Sequence, residues 1–203
     1  MTTSIMTTPT HLPFNPQVIR FTKGGKPALV PNEWQVWNGE QDEGYIPDRE
    51  HGAHQVLVPL HWWITHHLDA DIIKRANQGE IGVWFAADED VLKHADIIEA
   101  GKKVWPLVAA HFPVFRDGRS FSTAALLRDR LDWQGEIRAI GDVLIDQLLQ
   151  GARVGFDSFE LRPDQNLDIG LSQFNLFTVT TQNSWRDKRS LLSVRSEEHT
   201  SEL

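Results

Sequence analysis

Apolar and polar positions follow two different grammars along this chain, and the change comes near residue 79. Residues 18–37 alternate around the turn signals Gly24-Gly25-Lys26-Pro27 and Pro31-Asn32, which predicts two or three short strands including a hairpin. Residues 38–52 are polar and acidic, with Gly39, Gly44 and Pro47, and read as a loop. A short strand is expected at 55–60, then a helix over 61–78 with Ile64, Leu68, Ile72 and Ile73 near one face. Beyond residue 79, β-rich apolar runs at 81–85, 106–112, 136–140, 158–161 and 177–181 alternate with helical stripes. The helices are expected at 88–100, from Ser122 or Thr123 through Leu126, Leu127 and Leu131, at 143–153, and at 167–174.

Near-continuous apolar strands separated by amphipathic helices predict an α/β fold of parallel βαβ units with helices covering the sheet. Crossovers in such units are right-handed. Two closures fit the pattern, an open flavodoxin-type sheet and an incomplete β/α barrel, with a small β-rich N-terminal extension. A length of 203 residues suits a single hydrophobic core. The expected organisation is a frayed N-terminus at 1–15, a β-rich segment and helix at 16–78 belonging to the same domain, and a parallel α/β core at 79–183. Residues 184–194 have no assignment. Residues 195–203 read RSEEHTSEL, which resembles the in-frame translation of a sequencing adapter, and are set apart as an artefactual tail.

Charge and composition narrow the function classes. Lys and Arg number 20 against 28 Asp and Glu, a net charge of −8 that argues against a general nucleic-acid binder. No cysteine is present, so disulfides, thiol chemistry and Cys-ligated zinc or iron–sulfur clusters are excluded. Redox chemistry would need a borrowed cofactor. The apolar runs are strand-sized, well short of the roughly 18 residues of a membrane span, and residues 1–16 lack the pattern of a secretory signal. No membrane association and a cytoplasmic location are therefore expected.

In parallel sheets, ligands gather at the carboxyl ends of strands. The loop after the 106–112 strand offers Arg116, Asp117, Gly118, Arg119, Ser120 and Ser122 ahead of a helix N-terminus. Guanidinium forks, free backbone N–H groups and the helix dipole suit an oxyanion or a phosphate-bearing ligand. The structural alternative pairs Asp117 with Arg116 or Arg119 and leaves Ser122 as a cap. Asp142 follows the 136–140 strand and either caps the next helix or orients an Arg or a ligand. Arg162, beyond the 158–161 strand, is placed on the same edge, with Asp164 or Asn166 as a cap. A triad of Ser120 or Ser122 with His111 and Asp142 lacks a Gly-x-Ser-x-Gly elbow. His51, His54, His61, His66 and His67 cluster in sequence without metal-ligand spacing, so no metal is assigned. Of eight Trp, the adjacent Trp62 and Trp63 are expected to leave one ring exposed.

The string Phe112-Pro113-Val114-Phe115-Arg116-Asp117-Gly118-Arg119-Ser120-Phe121-Ser122 is followed by Gly135-Glu136-Ile137-Arg138-Ala139-Ile140-Gly141-Asp142-Val143-Leu144 and by Gly155-Phe156-Asp157-Ser158-Phe159-Glu160-Leu161. Together they resemble the bacterial domain of unknown function 934 family, most strongly over residues 109–182. Ser120 and Phe121 stand where the family pattern has Gly and Tyr. The resemblance implies a role in assimilatory sulfate and sulfite reduction, where such genes lie beside those of sulfite reductase. Taken with the loop chemistry, that role points to an accessory protein binding an oxyanion or phosphate-bearing ligand. Alternatives are an oxidoreductase with a borrowed flavin or nicotinamide cofactor, and a scaffold subunit for sulfite reductase; the cofactor stays open.

Overall fold

The computed structural model describes residues 15–39, 55–176 and 183–186. The predicted frayed terminus up to residue 14, most of the 38–52 loop, the 177–181 strand and the adapter-like tail lie outside the described residues. The fold is α/β, built on one eight-stranded sheet. The strands are β1 (Gln17–Arg20), β2 (Ala28–Pro31), β3 (Trp34–Val36), β4 (Gln55–Pro59), β5 (Ile81–Phe85), β6 (Leu107–Phe112), β7 (Glu136–Gly141) and β8 (Ser158–Phe159). The helices are α1 (Leu60–His66), α2 (Ala70–Asn77), α3 (Ala95–Gly101), α4 (Arg119–Asp129), α5 (Leu148–Val154) and α6 (Leu167–Ser172).

Strand order decides between the two predicted closures. The sheet runs β2-β1-β8-β7-β6-β5-β4-β3, so β3 to β8 are parallel and follow chain order without reversal. Single winding with right-handed crossovers puts every helix on one face; a flavodoxin-type order would reverse and cover both. The two packing clusters bear this out. A large outer core joins Val58, Val83, Val108, Ala110 and Phe159 to the helix residues Leu60, Ile98, Leu127 and Leu148. A small inner cluster contains only strand residues: Trp34, Val36, Leu57, Leu107, Ala109 and Ile140, with Trp84 against it.

β1 pairs antiparallel with both β2 and β8, and forms with β2 the predicted hairpin. β2 ends at Pro31 and β3 begins at Trp34, although these are the two outermost strands. Three Cα steps span at most about 11 Å, so the edges must curl toward each other at that end. The sheet is thus a curled, incomplete barrel with a concave interior.

Several boundaries differ from expectation. The 61–78 helix is two helices, broken at residues 67–69, where Asp69 takes an extended conformation and leaves Leu68 exposed. The 88–100 helix begins with a 3-10 turn at Val91–His94, capped by Asp90, whose carboxylate accepts from the Leu92 N–H. A similar 3-10 turn, Ile145–Gln147, precedes α5. α4 starts at Arg119, ahead of Ser122. Trp62 and Trp63 are both buried. They face different neighbours, Trp62 edge-on to Trp37 at 5.2 Å and Trp63 edge-on to Trp105 at 5.3 Å, because aromatic partners flank α1 on two sides. No helix among the described residues is long and apolar enough to cross a membrane.

Candidate functional site

The carboxyl ends of β6, β7 and β8 open onto a cavity of about 220 Å³ at the mouth of the curled sheet. Val36, Ile140, Leu161 and Phe112 supply apolar walls, with Val36 reaching it from the opposite edge strand. The polar groups are His111, Asp142, Glu160 and Arg162. They come from alternate, inward positions or from the loops just beyond the strands, which is what pleating dictates when one face of a sheet is concave.

Gly141 shapes this mouth. Its φ is +93°, and a Cβ there would lie 2.4 Å from the Phe112 carbonyl oxygen and 2.6 Å from the His111 ring. Only glycine lets β7 turn that close to β6. Asp142 then points back: its Oδ2 accepts the Phe115 N–H at 2.7 Å, and its Oδ1 accepts from Arg162 Nη1 at 2.7 Å. Asp142 therefore ties two loops together and is not a helix cap. Asn166 caps α6, accepting from the Ile169 N–H at 3.0 Å.

Arg162 also forms a fork with Asp164, Nε to Oδ1 at 2.6 Å and Nη2 to Oδ2 at 2.8 Å. These carboxylates raise its pKa, Asp164 foremost. Three of its five N–H donors are engaged, and two remain. His111 packs edge-on to Trp84 at 5.4 Å, and burial lowers its pKa, favouring the neutral ring. Glu160 is 6 % exposed. Its Oε1 accepts the Asn15 N–H at 3.4 Å, while Oε2 has no hydrogen-bond partner among the described residues. Burial drives its pKa up to about 7, outweighing Arg138, the Asn15 N–H and the Asn32 amide.

The predicted site residues thus divide. Asp142 and Arg162 converge at the cavity. Asp117 binds Arg119 in a fork, Nε to Oδ1 at 2.9 Å and Nη2 to Oδ2 at 2.6 Å, which holds Asp117 down to about 2. Arg116 and Gly118 are exposed on the same loop, and Gly118 precedes α4 as its N-cap residue. Ser120 is fully buried and donates to the His111 carbonyl at 2.6 Å, while Ser122 is exposed on α4. None of these loop residues lines the cavity. His61, His66 and His67 belong to α1 or its end, where His66 stacks on Trp62 at 4.4 Å; His51 and His54 lie outside the described residues. Among the described residues no group of three or more His, Asp or Glu is placed to hold a metal.

Sequence reasoning passed over Glu160 as a site residue, together with the polar layer beneath it. Arg138 donates to Ser158 Oγ at 3.0 Å, Asn32 Oδ1 at 2.8 Å and Glu136 Oε1 at 3.0 Å, all in the interior. The signal was available: Glu136, Arg138, Ser158 and Glu160 occupy alternate positions of strands otherwise apolar.

Fold and site together define a singly wound α/β protein with a cavity of about 220 Å³ at the carboxyl edge of its sheet. The chain belongs to the family described as bacterial protein of unknown function (DUF934), whose model matches residues 82–192. That span contains every cavity-lining residue except Val36. No curated protein and no solved structure matches the chain.

Proposed function

We propose that this protein is an accessory, ligand-binding component of assimilatory sulfate and sulfite reduction. It takes a small oxyanion-bearing ligand at the mouth of its curled sheet. The observation that carries the ligand half is Arg162: a guanidinium on the cavity rim, fixed by Asp142 and Asp164, with two N–H donors unspent. Because two carboxylates offset its charge, recognition rests on directional N–H bonds more than on net positive potential. The apolar walls favour an oxyanion attached to a small organic body, such as a sulfonate, carboxylate or phosphate ester. Arg116, exposed on the neighbouring loop, adds positive charge outside the mouth. The pathway half rests on the family resemblance, with sulfite reductase as the partner.

A cavity of about 220 Å³ falls below the roughly 300–1,000 Å³ of drug-sized ligand sites. The oxidoreductase alternative, with its flavin or nicotinamide cofactor, therefore draws no support from this cavity. The test is a thermal-shift panel of sulfate, sulfite, phosphate, ethanesulfonate and adenylyl sulfate. A ligand at 100 times its Kd stabilises by about 2.7 kcal/mol, several degrees in Tm. Arg162→Ala should weaken binding about tenfold or more, while Arg119→Ala, whose guanidinium pairs with Asp117 outside the cavity lining, should leave it within about twofold. Absence of a shift with every compound would overturn the ligand reading. Mixing with purified sulfite reductase and measuring co-elution tests the partner.

A further inference from the structure

We propose that the ligand carries a hydroxyl as well as its oxyanion, and that the imidazole of His111 reads this hydroxyl while Arg162 holds the anion, so that the site selects small hydroxylated organic oxyanions. This rests on the oxyanion reading above and names the ligand class of the same site.

His111 lies near the carboxyl end of β6 at an inward position. Leu107 and Ala109 precede it in the inner cluster, whereas Val108, Ala110 and Phe112 pack toward the helices. Its cross-strand partner is Ile140 of β7, and the two stand together on the cavity wall. His111 is half-buried, and among the described residues neither ring nitrogen has a hydrogen-bond partner. The neighbouring polar groups are committed elsewhere. Ser120 donates to the His111 carbonyl, not to the ring. Asp142 accepts from the Phe115 N–H and from Arg162. Trp84 donates its indole N–H to the Trp37 carbonyl at 2.7 Å and meets the imidazole only edge-on. Gly141 packs against another edge, where a Cβ would lie 2.6 Å from Cδ2 and 2.8 Å from Nε2. Packing alone therefore orients the ring, and its polar atoms are left for what enters the cavity.

One stretch of backbone brings His111 and Arg162 together. The ring lies against Gly141, and Arg162 Nη1 is 2.7 Å from Oδ1 of Asp142, the next residue. Consecutive Cα atoms are about 3.8 Å apart, so a molecule of a few heavy atoms spans both groups. Their chemistry differs. A guanidinium only donates and suits an oxyanion. Burial keeps His111 neutral, with one donor and one acceptor nitrogen. An oxyanion can satisfy only the donor. A hydroxyl both gives and takes a hydrogen bond and meets the ring in either tautomer. Val36, Ile140 and Leu161 provide apolar wall for the carbon between the two groups.

The probes are ethanesulfonate and 2-hydroxyethanesulfonate, which differ by one hydroxyl and carry the same charge. Calorimetry on the full chain should find the hydroxylated probe bound about tenfold more tightly. In His111→Phe, which keeps an aromatic edge for Trp84, and in His111→Leu, which has no ring, that preference should fall to within about twofold. A measurement on the wild-type chain frees the test from the folding of either variant: the ring ¹⁵N resonances of one histidine should move further with 2-hydroxyethanesulfonate than with ethanesulfonate. If no histidine does so, the proposal falls. Equal affinities of the wild-type chain for the two probes overturn it too and leave the oxyanion reading standing. A tenfold preference that persists in a folded His111 variant overturns it as well. If neither probe binds the wild-type chain, the oxyanion reading fails and this proposal with it.

Discussion

At the scale of single residues, burial makes Glu160 a pH-dependent weakness of the fold. Its pKa rises from 4.5 to about 7 because desolvation penalises the carboxylate more than Arg138 and the Asn15 N–H favour it. Between those values the native state holds a proton that the unfolded chain has released. Stability therefore falls as pH rises from about 4.5 to about 7, by about 3 kcal/mol at most. Urea unfolding of the wild-type chain and Glu160→Gln at pH 5 and pH 8 should show the variant gaining relative to the wild type at the higher pH. Gly141 gives a second residue-scale prediction. Gly141→Ala forces a Cβ into a positive-φ position 2.4 Å from the Phe112 carbonyl, and should cost about 2–3 kcal/mol while impairing ligand binding through the displaced His111. Sequence located Asp142 and Arg162 because polar residues after parallel strands have few places to go. It could not rank the loop arginines: Asp117 captures Arg119 only once the turn into α4 brings them together.

At the scale of elements, α4 is held to the sheet by a buried charge. Arg128 donates Nε and Nη2 to the Gly155 carbonyl at 3.1 and 3.0 Å, Nη1 to the Gly135 carbonyl at 2.9 Å, and Nη2 to Asp157. Asp157 also accepts the Ile137 N–H at 3.1 Å, so helix, β7 and the approach to β8 meet at one ion pair. Trp185 stacks on the guanidinium at 4.1 Å. Removing Arg128 leaves the buried Asp157 with only Arg186, at 3.5 Å, as a cation among the described residues. Arg128→Ala should destabilise by about 3–5 kcal/mol, measured by urea or thermal unfolding, and Asp157→Asn should cost less because its amide oxygen still accepts. Most of the predicted strands are present with close bounds, since β-rich apolar runs report burial directly. Helix limits were less legible. Periodicity over 61–78 marks Ile64, Leu68, Ile72 and Ile73 alike, but the break at Asp69 leaves Leu68 78 % exposed.

At the scale of the whole molecule, the concave interior joins the ends of the sheet. Asn32, in the two-residue link between the outermost strands, accepts from Arg138 Nη1 at 2.8 Å and from the Trp34 N–H at 3.2 Å, and donates to the Asn15 carbonyl at 2.9 Å. Asn32→Ala should cost about 2–3 kcal/mol by stranding these buried groups. Hydrogen exchange should show faster opening at the Trp34 and Ile19 amides together, because one side chain serves both edges. Sequence alone determined that the chain alternates strand and helix, that its sheet is mainly parallel, and that Asp142 and Arg162 fall on βα loops at one edge of it. Those features follow from periodicity and turn residues, which act over a few neighbours. Only the tertiary structure decided that the winding is single, that Glu136, Arg138, Ser158 and Glu160 line an interior, and that Arg162 meets Asp142 at a cavity mouth. Strand order and curl arise from contacts between residues as far apart as Asn32 and Arg138, and no local pattern encodes which distant partner satisfies a buried charge.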